Sequence, residues 1–571
     1  MDIKGLTGAE AFLRLLAEMG VERIFASPGS EWSPVWEFLT KPVPAHEGIP
    51  RYLSARHEEI AVGMASGYAK VTGKLPAVMI HTTVGALHGA MALRGALHEQ
   101  IPMVVFAGES IGFGEDAGPD PGAQWLRHLA DIGGPARLVE RCVKWSFGVN
   151  TKAVLASTIE RACQLAMGVP RGPVFISLPM EYLFDTMTVN PPAASSLPEA
   201  PVADPAGTEA LARLLADAKN PVIVTEEAGR TVTIVERLVE LAELIAAPVV
   251  ETRSPGYVNF PRTHPLHGGI DPAAYLADAD LVFLLGAVAP WHPASAGPRP
   301  GARVVILDDN PLRTELPVWG YQSDLCLIGD VERSLELLLE RLRARVRTND
   351  PARAERRERW AQRHRERKQV WTDEAHALRD RAPIDTRWAV YELNQILPPD
   401  AIVIDETITH RREIIRYLDR VPPGGFFAGF CGGLGTGLGT ALGVKAAAPG
   451  RPVILLIGDG AFSYNPANAA LGFAQEYAMP ILIVLFNNQG YLSMKAGIPK
   501  YYPDGWAVKS RSFVGTSITP SPDYVAMARA FDGYGEKVEA PRDVRPALER
   551  GLEATARGRL ALIDIRLDPV N

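Results

Sequence analysis

The sequence predicts an α/β protein built from three tandem Rossmann-like α/β domains with parallel sheets. Short apolar runs alternate with helical patterns along most of the chain, and this alternation is typical of βαβ units. The chain has 571 residues, which is enough for three to four domains. Two stretches interrupt the alternation, one rich in Pro, Ala and Ser and one rich in Arg and Glu. They separate three segments of similar size.

The predicted strands fall into three groups along the chain. They are Ile24–Ala26, Ala77–His81, Met103–Ala107, Val174–Leu178, then Pro221–Thr225, Pro248–Glu251, Leu281–Leu285, Val304–Leu307, and finally Ala401–Asp405, Val453–Ile457, Ile481–Phe486 and Leu560–Arg566. Helical patterns lie between them, for example Glu58–Val71. The groups define domains at residues 1–188, 200–345 and 385–571. Residues 346–384 are predicted to form a charged helical linker with a solvated face.

The composition argues against several functional classes. Lys and Arg number 59 and Asp and Glu 66, so the net charge is −7, and this balance gives no reason to expect nucleic acid as a partner. The four cysteines are widely spaced and form no CxxC pair, which argues against a disulfide framework or a zinc site. The sequence offers no membrane-spanning run of about 18 apolar residues and no signal peptide. A cytoplasmic protein is therefore expected.

Two strands of the third domain end in residues that suit a metal ion and a phosphate. The strand ending at Ile457 runs into a Gly-Asp-Gly turn around Asp459. A second strand, ending at Phe486, runs into two asparagines, of which the second is Asn488. The Gly-Asp-Gly turn and the first asparagine are separated by 26 residues. Because ligands bind beyond the carboxyl ends of parallel strands, both side chains are predicted at one sheet edge. With the carbonyl of Gly490 they make an oxygen site suited to Mg²⁺ or Ca²⁺.

Gly-Asp-Gly alone is a common turn, whereas the pair of motifs at the ends of two strands is far more specific. The pair resembles the diphosphate-binding motif of thiamine diphosphate-dependent enzymes, in which GDG is followed at a similar distance by NN. The resemblance implies that Mg²⁺ is bound by Asp459, Asn488 and the carbonyl of Gly490. It also implies that the cofactor contacts their neighbours Gly458, Gly460, Ala461 and Tyr491.

A glycine-rich stretch at residues 431–447 precedes the Gly-Asp-Gly turn. In thiamine diphosphate enzymes a similar stretch carries a bulky apolar side chain that props the cofactor into a bent shape. Leu434, which lies 25 residues before Asp459, matches that position. The same resemblance implies that Gly432 offers its carbonyl to the aminopyrimidine. Thr407 and Thr409 follow a predicted strand, where the family often places hydroxyl groups near the diphosphate.

In the first domain, residues 52–73 place Glu58 and Glu59 at the start of a helix. Acidic residues are favoured there by the helix dipole, and this is the purely structural interpretation. However, the sequence RHE, followed by a helix of small residues and GYA, resembles the segment that carries the catalytic glutamate in thiamine diphosphate enzymes. The resemblance implies that Glu58 hydrogen-bonds the pyrimidine ring, with its carboxyl pKa raised by burial, and that Glu59 is incidental.

Three further residues resemble the active site of benzoylformate decarboxylase. Ser30 follows a Pro-Gly turn, His81 follows a strand 23 residues after Glu58, and His292 follows a strand of the middle domain. Taken one at a time, each has an ordinary structural interpretation. By the resemblance, Ser30 binds the substrate carboxylate and the two histidines transfer protons. Histidine suits proton transfer near neutral pH.

The resemblance implies decarboxylation of a 2-oxo acid that depends on thiamine diphosphate (ThDP) and Mg²⁺ and proceeds through a thiazolium ylide and an enamine. One alternative is a carboligase of the acetolactate synthase or benzaldehyde lyase type, which joins the enamine to a second carbonyl. Acetolactate synthases often bind FAD in the middle domain, but nothing else in the sequence supports FAD. Another alternative is a non-catalytic structural or regulatory subunit of the same fold. Its signature would be the loss of Glu58, Asp459 or Asn488, and all three residues are present.

The resemblance also implies self-association as a homodimer or a homotetramer. In such enzymes the cofactor lies between the first domain of one subunit and the third domain of another. Asp459 and its neighbours would then act together with Glu58 of the partner subunit. No nucleic acid and no membrane is expected as a partner.

Overall fold

The structure is a computed structural model that describes residues 3–42, 47–109, 131–189, 199–252, 254–317, 319–347, 349–429 and 432–568. Most of the predicted Pro-, Ala- and Ser-rich linker lies outside these ranges, as does Cys431 at the start of the glycine-rich stretch. Among the helices within these ranges, none is long and apolar enough to cross a membrane.

The strands agree with the sequence prediction to within about two residues at each end, and the structure adds edge strands that the sequence did not indicate. They are β1 Ile3–Thr7, β2 Arg23–Ser27, β3 Arg51–Ser54, β4 Ala77–Ile80, β5 Met103–Glu109, β6 Trp145–Gly148, β7 Pro173–Pro179, β8 Thr186–Val189, β9 Pro221–Thr225, β10 Val249–Glu251, β11 His267–Gly269, β12 Leu281–Leu285, β13 Arg303–Asp308, β14 Leu325–Ile328, β15 Ile402–Glu406, β16 Phe426–Ala428, β17 Val453–Gly458, β18 Leu482–Asn487, β19 Tyr534–Val538 and β20 Ala561–Arg566.

The helices lie between the strands, as the βαβ pattern predicts. They are α1 Gly8–Glu18, α2 Ser33–Leu39, α3 Glu58–Thr72, α4 Thr83–His98, α5 Pro135–Leu138, α6 Leu155–Met167, α7 Glu181–Phe184, α8 Pro205–Asp217, α9 Val232–Ile245, α10 Ala273–Leu276, α11 Val331–Arg343, α12 Pro351–Ala377, α13 Thr386–Ile396, α14 Arg411–Tyr417, α15 Gly437–Ala447, α16 Asp459–Tyr464, α17 Ala467–Glu476, α18 Leu492–Tyr501, α19 Trp506–Ser510, α20 Tyr524–Arg529 and α21 Val544–Ala556.

The chain divides into two compact units. The first comprises Met1–Pro198, Cys431–Gly450 and Ala461–Ile481, and the second comprises the remaining segments. The sheet of the first unit has the order β3-β2-β4-β5-β7-β6 with all pairings parallel, and β1 and β8 form a separate antiparallel pair. Strands β4 and β7 are buried along their whole length, as expected for parallel strands that are covered on both faces.

The first unit also contains α15, which comes from the glycine-rich stretch of the predicted third domain and packs against α3. Small residues allow this close approach. A Cβ atom on Gly63 would lie only 3.1 Å from the Cα of Gly439, and a Cβ on Gly443 would overlap the carbonyl of Met64. The glycines of this stretch therefore serve helix packing as well as any contact with a ligand.

The second unit holds two further parallel sheets. The middle sheet has the order β11-β10-β9-β12-β13-β14, and the C-terminal sheet has the order β16-β15-β17-β18-β20-β19. Each six-stranded sheet of the described chain has a switch point, where the strand order reverses and where open α/β sheets bind ligands. These points lie between β2 and β4, between β9 and β12, and between β15 and β17. The predicted α/β class is confirmed.

The charged stretch forms the long helix α12, as predicted. The prediction that this helix is solvated is only partly correct. Arg356 is 6% exposed and Trp360 is 8% exposed, and both face the middle sheet of the same unit. The Arg356 guanidinium donates hydrogen bonds to the carbonyls of Ala246 and Lys219, at 3.1 and 2.8 Å. One face of the helix is therefore anchored, whereas Arg357, Glu358 and Arg365 are exposed.

Candidate functional site

The carboxyl edge of the C-terminal sheet brings Asp459 and Asn488 together. Strands β17 and β18 are parallel neighbours, with Gly458 opposite Phe486, so the residues that follow them lie side by side. Both side chains are almost fully buried. The backbone N–H of Gly490 donates to the Asp459 carboxylate at 3.0 Å and to the amide oxygen of Asn488 at 3.2 Å. The sequence prediction that the two motifs meet at one edge is therefore confirmed.

The electrostatics of this edge suit a bound cation. Burial raises the pKa of Asp459 to about 6, although the N–H groups of Gly460 and Gly490 oppose the shift. The nearby carboxylate of Asp564 raises it further. A divalent ion would neutralise this buried negative charge, and a carboxylate with amide and carbonyl oxygens is a donor set that Mg²⁺ accepts. The residues present therefore fit the expected ion.

Space for a phosphate group lies beside these ligands. A Cβ atom added to Gly458 would meet nothing within 4 Å, so the backbone at this position is open to a neighbouring group. A Cβ on Gly460 would lie 2.9 Å from the ring of Tyr491, which shows that this ring covers the turn. The arrangement leaves one glycine accessible and one tightly covered.

Of the two predicted threonines, Thr407 is buried and Thr409 is exposed. Thr407 follows β15, which pairs with β17, so it lies at the same edge as Asp459. Its hydroxyl donates to Asp405 at 2.7 Å, and Asp405 also accepts a hydrogen bond from Arg411 at 2.9 Å. The Thr407 oxygen can accept a further hydrogen bond, but its proton is already used. A role toward a diphosphate stays a prediction for both threonines.

In the first unit, the residues before α15 approach α3 and α4. Gly432 is exposed, with a positive φ of 64°, and Leu434 is half-buried. A Cβ on Gly433 would lie 2.7 Å from the sulfur of Met91 in α4. Ala461 belongs to the same unit, and its carbonyl accepts a hydrogen bond from Asn465 at 2.9 Å. The proposed contacts of Gly432, Leu434 and Ala461 with a cofactor stay predictions.

Glu58 is the first residue of α3 and is 8% exposed. His57 caps the helix, and its Nδ1 accepts a hydrogen bond from the Glu59 N–H at 3.1 Å. Glu59, treated above as incidental, is buried as well, and its carboxylate accepts a hydrogen bond from the N–H of Ala92 at 3.3 Å. Glu59 therefore ties α3 to α4, which is a structural role that the sequence did not reveal.

Sequence reasoning also missed Glu31, a fully buried carboxylate beside His81. The Nδ1 atom of His81 lies 2.8 and 2.9 Å from the two Glu31 oxygens. A hydrogen bond to a carboxylate places a proton on Nδ1. In the neutral imidazole, Nε2 is then the ring nitrogen that carries no proton. The only signal in the sequence was an acidic residue directly after the Pro-Gly-Ser turn, and a single carboxylate of that kind is not informative.

The switch point of the first sheet brings these groups together. Ser30 is exposed in the turn after β2, and His81 follows the neighbouring strand β4. A Cβ on Gly29 would overlap the His81 ring. A Cβ on Gly85 would lie 3.2 Å from both the Glu58 carboxylate and the Cβ of His81. Glycines at both positions thus give the two side chains room to lie close together.

The third predicted catalytic residue lies in the other unit. His292 is exposed, on the loop after β12, at the switch point of the middle sheet. Asp308, at the end of β13 in the same sheet, is buried and paired with Arg313 at 2.8 Å. The same guanidinium pairs with Glu227 at 2.8 Å. This carboxylate is therefore engaged within the protein, and the residues present give no added support to FAD.

Together these two edges define a class of protein: an α/β protein with buried oxygen ligands that suit a metal ion, beside an open glycine, and with a separate cluster of buried carboxylates near a histidine. Comparison with known families agrees. The model described as thiamine pyrophosphate enzyme, N-terminal TPP binding domain, matches residues 6–113; the central-domain model matches 208–338; and the C-terminal TPP binding domain model matches 409–565. Together the three matches cover more than half of the chain, which belongs to the thiamine diphosphate-dependent enzymes.

Curated relatives of two kinds are similar over almost the whole chain. Acetolactate synthase isozyme 3 large subunit of Escherichia coli is 28% identical, covering 99% of this chain and 95% of the relative. Benzoylformate decarboxylase of Pseudomonas aeruginosa is 29% identical, covering 97% and 98%. Among solved structures, a thiamine diphosphate-dependent 4-hydroxybenzoylformate decarboxylase of Rhodococcus jostii matches with a TM-score of 0.80 at 24% identity, covering 99% of both chains. The last likeness shows the fold.

Proposed function

We propose that the protein decarboxylates a 2-oxo acid with thiamine diphosphate and Mg²⁺ as cofactors. The observation that carries the proposal is the pairing of His81 with the buried Glu31 at 2.8 Å, close to Glu58. Decarboxylation followed by release of an aldehyde needs a group that delivers a proton and a group that later removes one. A histidine held by a carboxylate suits both steps near neutral pH.

The residues that would hold the cofactors follow from the two edges. Asp459, Asn488 and the carbonyl of Gly490 would bind Mg²⁺, and the open backbone at Gly458 would face the diphosphate. Leu434 would support the cofactor in its bent shape. When bound, thiamine diphosphate supplies a carbon nucleophile and then accepts the electron pair that decarboxylation releases.

The chain's own side chains would do the proton work. Glu58 would hold a proton at its carboxyl group against the pyrimidine ring. Nε2 of His81 would carry the proton exchanged with the substrate, because Nδ1 is engaged by Glu31. Ser30, exposed beside this histidine, would orient the substrate carboxylate by donating a hydrogen bond. His292 would be the second proton carrier.

A panel of 2-oxo acids, scored by CO₂ release with thiamine diphosphate and Mg²⁺, tests the proposal. We expect release with at least one aromatic or aliphatic 2-oxo acid, and its loss in Glu58→Gln. Absence of CO₂ release from every 2-oxo acid would contradict decarboxylation, as would unchanged activity in Glu58→Gln. The similarity to acetolactate synthase makes carboligation the second candidate. Each reaction is therefore repeated with an acceptor aldehyde, because a new hydroxyketone would favour ligation.

We further propose that the active enzyme is a homodimer, or a homotetramer made of such dimers, with each site shared between two subunits. An exposed apolar stripe on α4 supports this proposal. Val84, Leu87 and Met91 recur at helical spacing and are 48%, 53% and 43% exposed. Clustered exposed apolar side chains mark interaction surfaces. The stripe lies on the helix that also carries Gly85, next to Glu58, so a partner subunit would cover the edge of the site.

A further inference from the structure

An open cavity of about 670 Å³ lies at the carboxyl edge of the C-terminal sheet and has no role in the function proposed above. It is lined by residues near the ends of β19 and β20, by α20 and by the loop that precedes this helix. Gln489, the residue between Asn488 and Gly490, also lines it, whereas the predicted metal ligands themselves do not. The cavity is therefore next to the predicted metal site but separate from it.

The register of the sheet explains why charged side chains meet at this cavity. Arg566 is opposite Asn487, and Asp564 is opposite Lys537. Side chains that are opposite each other in neighbouring strands lie on the same face of the sheet, as do side chains two residues apart in one strand. The pleat therefore places all four side chains on one face, at the end where parallel sheets bind ligands.

Asp564 is a buried carboxylate that lines the cavity and is only 4% exposed. One of its oxygens accepts a hydrogen bond from the Asn487 amide at 2.9 Å, and the other accepts none from the residues that the structure describes. Burial raises the pKa of this carboxyl group, although the Asn487 amide and the charges of Arg566 and Lys537 oppose the shift. A positively charged hydrogen-bond donor would satisfy the second oxygen and stabilise the carboxylate.

Arg566 supplies a positive charge on the same face of β20. Its side chain is half-buried, and it makes no hydrogen bond or ion pair with any residue in the described part of the chain. Asp564 and Arg566, here called the β20 pair, therefore carry opposite charges without contacting each other. A molecule that carries both charges could lie between them and pair with each.

The other charged groups of the lining are exposed and already have partners. Lys537 pairs with Glu539 at 2.5 Å, and Arg529 donates a hydrogen bond to the carbonyl of Gly535 at 3.0 Å. The carboxylate of Asp523 caps the N-terminus of α20. The β20 pair thus provides the charged groups that are most available to a ligand.

We propose that this cavity binds an α-amino acid with an apolar side chain. The ammonium group would donate to Asp564, and the carboxylate would accept hydrogen bonds from Arg566. An amino acid carries both groups on one carbon atom, so it can bridge opposite charges that do not reach each other. Pro520, Pro522 and Val525 line the same cavity and would contact the apolar side chain. The inference does not rest on the proposed function, which uses none of these groups.

Calorimetric titration of L-phenylalanine into the protein, in the presence of thiamine diphosphate and Mg²⁺, tests the inference. We expect a dissociation constant of about 1 mM or less. Two matched ligands separate the charged groups, because 3-phenylpropionate lacks the ammonium group and 2-phenylethylamine lacks the carboxylate. Each should bind at least about tenfold more weakly, since one member of the β20 pair would then face no partner.

Two variants locate the bound amino acid. Asp564→Asn keeps an oxygen that can accept the hydrogen bond from Asn487 but removes the negative charge, and Arg566→Met keeps an apolar stem without the cation. Both should weaken the binding of L-phenylalanine at least about tenfold. Arg542, an 86% exposed side chain that does not line the cavity, offers the matched control Arg542→Met, which should bind as the wild type does.

Three results would overturn the inference. They are the absence of binding by the wild type, unchanged affinity in Asp564→Asn or in Arg566→Met, and equal affinity for L-phenylalanine and either matched ligand. The last result would show that the cavity recognises a single charge rather than an amino acid. None of these results bears on the release of CO₂ from 2-oxo acids, so the proposed function stands or fails separately.

Discussion

At the scale of single residues, Glu31 and Glu58 show how similar carboxylates acquire different roles. Both are buried at the switch point of the first sheet. Glu31 is hydrogen-bonded to Nδ1 of His81 through one carboxylate oxygen, and its other oxygen lies 2.8 Å from the same nitrogen, so it fixes the orientation of that ring. Glu58 has a longer contact, 3.4 Å from a carboxylate oxygen to Nδ1 of His88 on α4.

Glu31→Gln should lower the rate of turnover without weakening cofactor binding. The amide still fills the same space beside His81, but it removes the negative charge that favours a proton on Nδ1. A positioned acid or base is worth about 10²- to 10⁴-fold, so we expect the loss of kcat to reach about tenfold to a hundredfold. The exposed Glu37, on α2, offers a matched control, Glu37→Gln. Equal kcat values for the two variants would show that Glu31 has no part in the reaction.

The sequence predicted Asp459, Asn488 and Glu58 because each lies in a motif with a fixed place at the end of a strand or the start of a helix. It could not predict Glu31 or His88. Neither residue has a distinctive neighbour in the chain, and their partners lie 50 and 30 residues away. Side chains that are joined only by the fold leave no local signal.

At the scale of elements, the buried strands were predictable and the packing between distant helices was not. Strands such as β9 and β12 are mostly apolar and buried along their whole length, and their limits agree with the sequence prediction. The contact between α3 and α15 joins segments about 380 residues apart in the chain. By the resemblance, the glycine-rich stretch was expected to contact the cofactor through Gly432 and Leu434. Other glycines of the stretch, Gly439 and Gly443, let the two helices approach.

Gly443→Ala should therefore destabilise the first unit. A Cβ atom at this position would overlap the backbone carbonyl of Met64, which cannot move without shifting α3. Overpacking of this kind costs about 1–3 kcal/mol, and it exceeds the helix propensity gained by alanine, about 1 kcal/mol. Gly95→Ala in α4 is the matched control, since a Cβ there would meet nothing within 4 Å. The midpoint temperature of thermal unfolding should be lower for Gly443→Ala and unchanged for Gly95→Ala. Unchanged midpoints in both variants would mean that the two helices do not pack as described.

At the scale of the whole molecule, the three matched domain models follow one another along the chain in the same order as the three six-stranded sheets. The sequence predicted this architecture because each segment repeats the alternation of apolar strands and helices. It predicted shared sites only through the resemblance, because contacts between subunits follow from the arrangement of whole surfaces. The apolar stripe on α4 is one feature of the described residues that supports the proposal of such contacts.

Mixing two inactive variants tests whether the sites are shared. We expect Glu58→Gln and Asp459→Asn to be inactive separately and active after co-expression, with the mixed dimer isolated by two different tags. If each site combines Asp459 with Glu58 of the partner subunit, one of the two sites in a mixed dimer contains only unchanged residues. The mixed dimer should then show about half the activity of the wild-type dimer. Inactive mixed dimers would place both residues of each site in the same subunit.

The central claim is that the edge at Asp459 and Asn488 binds thiamine diphosphate through a divalent ion. The most direct test is a calorimetric titration of thiamine diphosphate into metal-stripped protein, with and without added Mg²⁺. Binding should require the ion, and Asp459→Asn should weaken it at least about tenfold, whereas replacing the exposed Asp504 by Asn should leave it unchanged. Binding of equal strength without Mg²⁺ and in Asp459→Asn, or no binding by the wild type, would contradict the claim.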